Sequence, residues 1–270
     1  MCPYDRYKRN IEGNETMSQS NIAVICDPDL YEAFQTLQKE FGQYRGQELV
    51  QKIHDSGLFS PDEMVCTTSF GADAAVMLKI ISDVNNDIPI AFLDTRKHFQ
   101  ETIMYKDYLR AELELNIHEF TPNETSIAKL EDGKTPELYA QWLASSQSNK
   151  DDCCETRKHE PLIRALNGKK LWFTGRKEEQ KTGTKKDREF QRQDLPLFEI
   201  EDGIIKVNPI KDYTASDIDA FYQQSGLLRH PLFKDGYNSI GCEPCTNAGK
   251  GRDGRTQKYC GMHKTERTPN

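Results

Sequence analysis

Two pairs of cysteines, far apart in the chain, constrain the fold more than any other feature. Cys153 and Cys154 are adjacent. Cys242 and Cys245 form a Cys-x-x-Cys turn inside Ser239-Ile240-Gly241-Cys242-Glu243-Pro244-Cys245-Thr246. If both pairs serve one site, the long stretch between them must fold back on itself. The chain has eight cysteines, and a fifth conspicuous one, Cys260, lies near the C-terminus. Sets of four thiols suit zinc or iron–sulfur clusters. One zinc ion needs ligands that converge on a point, usually from two Cys-x-x-Cys knuckles. Adjacent cysteines diverge, which suits the separate irons of a [4Fe–4S] cube. A second grouping, Cys242-x₂-Cys245-x₁₄-Cys260-x₂-His263, has the spacing of a zinc module but leaves the tandem pair unexplained. Scattered buried thiols are the bland alternative.

Composition narrows the partners. The 270 residues carry a net charge of −7, so no overall basic field attracts nucleic acid. An anionic ligand would need local basic groups. No apolar run approaches the length of a membrane span, and the first residues lack an apolar signal core. These features predict a cytoplasmic protein, where thiols stay reduced and clustered cysteines favour metal or redox chemistry.

The order of elements predicts an α/β fold. Residues 1–28 read as a flexible N-terminal tail, 29–246 as one folded domain, and 247–270 as a mobile C-terminal tail. Helical spacing runs from Tyr31 to Tyr44 and again through Leu49 and Ile53. Met64 to Phe70 is a buried-strand run, Gly71 breaks it, and Ala74, Met77, Leu78 and Ile81 follow at helical spacing. A strand, a glycine turn and a helix aim backbone N–H groups at an anion. Further strands are predicted at Ile88–Leu93, Ile117–Phe120 and Leu171–Thr174, with a helix through Phe99, Ile103, Tyr108 and Leu113. Another helix is expected from Pro136 to Ala144, and one from Leu162 to Leu166 stopped by Gly168. Asp202-Gly203 between two apolar runs predicts a hairpin, and Ser216 to Gln224 a helix. Alternating strands and helices imply a parallel twisted sheet with helices on both faces and ligands at the strand C-termini. Gly133-Lys134-Thr135 is not a Walker loop, because Ala128 stands where a glycine is required.

Several motifs taken together resemble one family. Cys153-Cys154-Glu155-Thr156-Arg157-Lys158, Glu160-Pro161-Leu162, His230-Pro231-Leu232, the segment from Ser239 to Thr246 and Cys260-Gly261-Met262-His263 resemble the assimilatory adenylyl-sulfate reductases. The likeness runs in order from about Val65 to His263. It implies an adenine-nucleotide α-hydrolase-like, pyrophosphatase-loop fold with an extended C-terminal catalytic tail. It implies a [4Fe–4S] cluster on Cys153, Cys154, Cys242 and Cys245, and thioredoxin or a glutaredoxin-like protein as reductant. Ser69, Phe70, Gly71 and Asp73 resemble the family's phosphate loop, and Asp94 and Thr95 its strand end at the nucleotide. Arg157, Arg176, Gln180, Arg252 and Arg255 resemble its anion-binding groups. Lys158 resembles the lysine between cluster and substrate. Cys260 resembles its nucleophile, with His263 beside it in sequence.

The implied reaction is reduction of adenylyl sulfate to sulfite and AMP through an S-sulfocysteine on Cys260, in sulfate assimilation and cysteine biosynthesis. The 3′-phosphorylated substrate is the alternative. Arg96 stands where several relatives carry glycine, and Tyr259 where they carry glutamate. A non-catalytic, metal-stabilised nucleotide-binding protein and a tRNA-thiolase-like ligase are readings of other classes. A homo-oligomer is compatible with all of them.

Overall fold

The computed structural model describes residues 27–178, 195–250 and 253–255. Two helices open this part of the chain, α1 (Pro28–Phe41) and α2 (Gly46–Asp55). The Asp27 carboxylate caps α1 by accepting from the Asp29 and Leu30 N–H groups. Then come β1 (Met64–Thr68), α3 (Ala74–Val84), β2 (Ile90–Leu93), α4 (Gln100–Leu113) and β3 (Ile117–Phe120). Three polar helices follow, α5 (Glu124–Glu131), α6 (Pro136–Ser145) and α7 (Gln147–Cys154). A wide π turn over Glu155–His159 leads into α8 (Glu160–Leu166) and β4 (Leu171–Phe173). The hairpin β5 (Phe198–Glu201) and β6 (Ile204–Val207) precedes α9 (Ala215–Ser225).

The six strands form one sheet in the order β3-β2-β1-β4-β6-β5. Every pairing is parallel except β5 with β6. The expected parallel sheet is therefore mixed at one edge, because a two-residue turn can return a strand only antiparallel. Asp202 and Gly203 both have positive φ, 53° and 77°, as the tightest hairpin turns require.

Helices cover both faces. Met64, Cys66, Ile90, Phe92, Phe173 and Val207 pack with α1 to α4 and α9. The alternate residues Val65, Ala91, Leu93 and Trp172 pack with Leu162 and Ala165 of α8. Successive side chains of a strand point to opposite faces, so runs apolar at every position are what a two-sided burial demands. No helix among the described residues is long and apolar enough to cross a membrane.

The strand order reverses at β1. The chain steps from β1 to β2 and β3 on one side, then returns to β4 on the other. Such a reversal opens a crevice at the strand C-termini. His230 braces the far wall of that crevice. It is 1% exposed. Its Nδ1 accepts from the Leu232 N–H at 3.2 Å and its Nε2 lies 3.0 Å from the Thr102 hydroxyl. Burial pushes its pKa from 6.5 down to about 4. Between those values the unfolded chain binds the proton and the folded one does not, so stability falls as pH drops through the window. The wild type should lose roughly 2–3 kcal/mol between pH 6.5 and 4.5 beyond any loss in His230→Asn. Urea melts of both proteins at several pH values read this difference.

Candidate active site

A cavity of about 550 Å³ lies at the strand C-termini. That volume suits a nucleotide-sized ligand. Thr67 and Thr68 ending β1, Leu93 ending β2 with Thr95 beyond it, and Thr174 and Gly175 after β4 form its floor. Ser69, Gly71, Ala72 and Asp73 form one wall, where the chain turns into α3. The Gly71 backbone passes so close to the Ile240 carbonyl that a Cβ there would stand 3.0 Å from it. The turn brings backbone N–H groups and a helix N-terminus to the cavity, a favourable place for a phosphate.

Phe70 departs from its expected role. Its side chain is fully buried, packs edge-on against Phe92 at 5.3 Å between centroids, and does not line the cavity. It holds a positive φ of 48°, with its N–H bonded to the Thr68 hydroxyl at 3.1 Å. Phe70 therefore anchors and strains the loop rather than touching a ligand.

Asp94 also stays off the cavity wall. It accepts from the Arg96 N–H at 2.9 Å and so shapes a turn; α4 begins only at Gln100. Arg96 itself has a φ of 57°, the left-handed backbone that glycine adopts freely. Thr95 and Asp73 do line the cavity, and Lys177 meets the Asp73 carboxylate at 2.5 Å.

Arg176 reaches the cavity from β4 and donates to Glu199 at 2.8 Å. Glu199 also lies 3.3 Å from Lys206, which is fully buried over the Trp172 ring. This ion network under β4 was not legible in the sequence. Arg255 comes back over Gly241, where any Cβ would collide with its guanidinium. A bridge between Thr246 and Arg255 and the Asn247 N–H to Gly254 carbonyl bond, 2.7 Å, bring it there.

The four cysteines Cys153, Cys154, Cys242 and Cys245 line one small pocket beside the cavity. The wide turn after Cys154 swings Arg157 and Lys158 toward it. Pro161 accounts for that turn: it has no N–H for the Arg157 carbonyl, and its ring crowds the turn before it. On the other side, the backbone of His98 pairs with Cys242, and the Glu243 N–H donates to the Lys97 carbonyl at 2.7 Å. The Tyr139 hydroxyl donates to Cys153 Sγ at 3.1 Å, and the Thr95 hydroxyl lies 3.3 Å from Cys242 Sγ.

Charge is arranged around these thiols. Burial works against ionisation of Cys242, but Lys158, the Thr95 hydroxyl, Arg255 and Arg157 together hold its pKa below that of an ordinary thiol. Burial and the neighbouring thiols push Cys153 up. Among the described residues no group of three or more Cys, His, Asp or Glu side chains is arranged to hold one metal ion. Cys66 is a buried thiol that burial alone pushes up to about 12.

Arg157 sits with the cysteines and not on the cavity wall. It is 1% exposed and donates to the Thr95 carbonyl at 2.8 Å, the Tyr139 hydroxyl at 3.2 Å and Glu131 at 2.5 Å. This is a structural clamp rather than the anion contact expected of it. Lys158 and Cys242 line both the pocket and the cavity. His98 and Arg229 line the cavity too, although neither stood out in the sequence. His98 has no ligand spacing, and Arg229 lies in an aperiodic stretch. Cys260, His263, Gln180, Arg252 and Tyr259 lie outside the described residues.

Comparison with known proteins gives the family. Residues 63–248 match the model of the phosphoadenosine phosphosulfate reductase domain. The chain belongs to this family. It is 40% identical to an adenosine 5′-phosphosulfate reductase of Mesorhizobium japonicum over 76% of this chain and 75% of that one. A Bacillus cereus protein of the same name is 32% identical over 93% of this chain and 96% of its own. A phosphoadenylyl-sulfate reductase from Candida auris, solved with phosphate, superposes with a TM-score of 0.58 at 25% identity, covering 86% of this chain and 98% of that one. A Candida glabrata FMN adenylyltransferase shares the fold at a TM-score of 0.50 and 14% identity, covering 92% of this chain and 73% of that one. The adenine-nucleotide α-hydrolase-like fold expected from the family motifs is thus the one observed.

A φ of 57° at Arg96 is a backbone that glycine would adopt without strain. Arg96→Gly should raise stability by roughly 0.5–1 kcal/mol, the relieved left-handed strain outweighing the added freedom of the unfolded chain. A shift of the urea midpoint measures it.

Proposed function

We propose that this protein reduces adenylyl sulfate to sulfite and AMP, with a [4Fe–4S] cluster on Cys153, Cys154, Cys242 and Cys245. The observation that carries this reading is the shared wall: Lys158 and Cys242 line both the nucleotide-sized cavity and the pocket of four thiols. The names of the relatives point to adenylyl sulfate as the substrate. Four soft thiol ligands around one pocket, with Arg157 and Lys158 beside them, suit a polynuclear, negatively charged cluster. When bound, the cluster supplies a fixed electrostatic field at the sulfate end of the cavity and takes no electrons in this scheme.

The chain's own residues do the rest. Backbone N–H groups of the turn from Gly71 to Asp73 hold the phosphate, and Arg176 and Arg255 grip sulfate and phosphate oxygens. Lys158 offsets the charge where the sulfate meets the thiols. The Cys260 thiolate attacks the sulfur of adenylyl sulfate. A sulfur–sulfur bond forms and the bond from sulfur to the AMP oxygen breaks. AMP leaves with the electron pair, and the enzyme carries Cys260–S–SO₃⁻. A thiolate of reduced thioredoxin, or of a glutaredoxin-like protein, then attacks the Cys260 sulfur and expels sulfite. Its second thiol releases Cys260 and completes a disulfide. The reaction belongs to assimilatory sulfate reduction in the cytoplasm, ahead of cysteine synthesis.

Protein purified without oxygen should release sulfite from adenylyl sulfate with reduced thioredoxin, and Cys260→Ser should release none while still binding AMP. Sulfite from Cys260→Ser at the wild-type rate would contradict the assigned nucleophile. A wild type that binds AMP yet releases no sulfite from adenylyl sulfate or its 3′-phosphorylated form would be a nucleotide-binding protein without turnover.

A further inference from the structure

Aspartate is among the residues that best cap a helix, because its carboxylate accepts from N–H groups of the first turn. Asp73 stands at the cap position of α3, yet its side chain makes no capping bond. The first turn is satisfied in other ways. The Ala74 and Val76 N–H groups donate to the Gly71 and Asp73 carbonyls at 3.1 and 3.3 Å. The Tyr222 hydroxyl, reaching in from α9, takes a backbone bond from Ala75 and donates to the Ala72 carbonyl at 2.9 Å. Burial pushes that phenol up to about 12, so it stays a donor. The N–H groups of Gly71, Ala72 and Asp73 are left with no partner among the described residues.

A carboxylate beside three unfilled N–H groups competes with any anion that would use them. Asp73 lines the cavity itself, so its charge also faces an incoming phosphate. Lys177 draws it aside, its ammonium meeting the carboxylate at 2.5 Å. Lys177 is buried and lines the cavity from the segment after β4. The backbone on either side of it is held. The Arg176 N–H donates to the Thr174 hydroxyl at 3.3 Å, and the Glu178 N–H to the Lys211 carbonyl at 2.9 Å. An ion pair taken out of water contributes little stability by itself, because both ions lose hydration. This one ties the phosphate turn to the strand end that carries Arg176.

We propose that Lys177 is a positioning residue: it holds the Asp73 carboxylate off the N–H groups of Gly71 to Asp73, so that these stay open to the phosphate of a nucleotide. The proposal rests on the cavity being a nucleotide site. Lys177 acts on the anion through Asp73 and not by gripping it. The pair is neutral as a unit, and Arg176 and Arg255 on the same cavity supply the attraction. Without Lys177, an unmatched carboxylate meets the incoming phosphate.

Calorimetric titration of the full chain with AMP tests this without turnover. Lys177→Met should weaken AMP about tenfold or more. Lys177→Met combined with Asp73→Asn removes both charges and should bind AMP within about threefold of the wild type. That rescue separates the proposal from a direct grip, because deleting a carboxylate cannot replace a lysine that touches the phosphate. A double variant as weak as Lys177→Met, or a Lys177→Met that binds like the wild type, would overturn the proposal and leave the adenylyl-sulfate reading intact. Should Lys177→Met not fold, Asp73→Asn decides. It should bind AMP at least as tightly as the wild type, and a loss of about tenfold would overturn the proposal. A folded wild type that binds no AMP would remove the nucleotide reading and the proposal with it.

Discussion

The site depends on one buried cation. Arg157 has almost no exposed surface, and an unpaired guanidinium there would be prohibitively unfavourable. Its three partners are spread widely in sequence: the Thr95 carbonyl after β2, the Tyr139 hydroxyl on α6 and the Glu131 carboxylate ending α5. Satisfying that one side chain draws the helices α5 and α6 onto the end of the sheet. Thr95 passes the constraint on, because its hydroxyl sits against Cys242 while its carbonyl is held by Arg157. Tyr139 does the same for Cys153. The thiols from the two halves of the chain meet because both are fastened to groups that Arg157 needs.

The same arrangement explains why cavity and thiol pocket share a wall. Cys242 pairs through its backbone with His98, just past the β2 strand end that floors the cavity. Lys158 follows Cys154 by one wide turn and so looks onto both spaces. Cations next to Cys242 favour its thiolate over the effect of burial, which is what a ligand to a soft metal needs. The Arg176, Glu199 and Lys206 network supplies a second stiff cation at the C-terminal end of β4, on the same cavity. Preorganised charges of this kind lose little freedom when an anion arrives.

Much of the fold was legible in the sequence. Strands buried on both faces show as short unbroken apolar runs, and Gly71, Gly168 and Asp202-Gly203 mark where they turn or where helices stop. The thiol pairs announced a shared site, although adjacency alone could not say that they would meet. What escaped notice depends on long-range contacts. Nothing in the residues around Phe70 says that its ring turns into the core while its neighbours face the cavity. Arg157 and Lys158 are consecutive and alike in charge, yet the π turn sends one into a clamp and the other to the cavity wall. Residues 121–150 read as helical and polar, but their polarity gave no boundaries for α5 and α7, whose packing is decided by Arg157 and Cys153 rather than by an apolar stripe. Arg229 and His98 became visible only when the strand ends brought them to one cavity.

The account stands on four thiols holding a polynuclear cluster at the wall of a nucleotide cavity. X-ray absorption at the iron edge, on protein prepared without oxygen, tests that claim most directly. The account predicts a sulfur shell around iron together with a second shell of iron neighbours, both lost together in Cys154→Ser. A single metal with a sulfur shell and no metal neighbour, or zinc in place of iron, would contradict it.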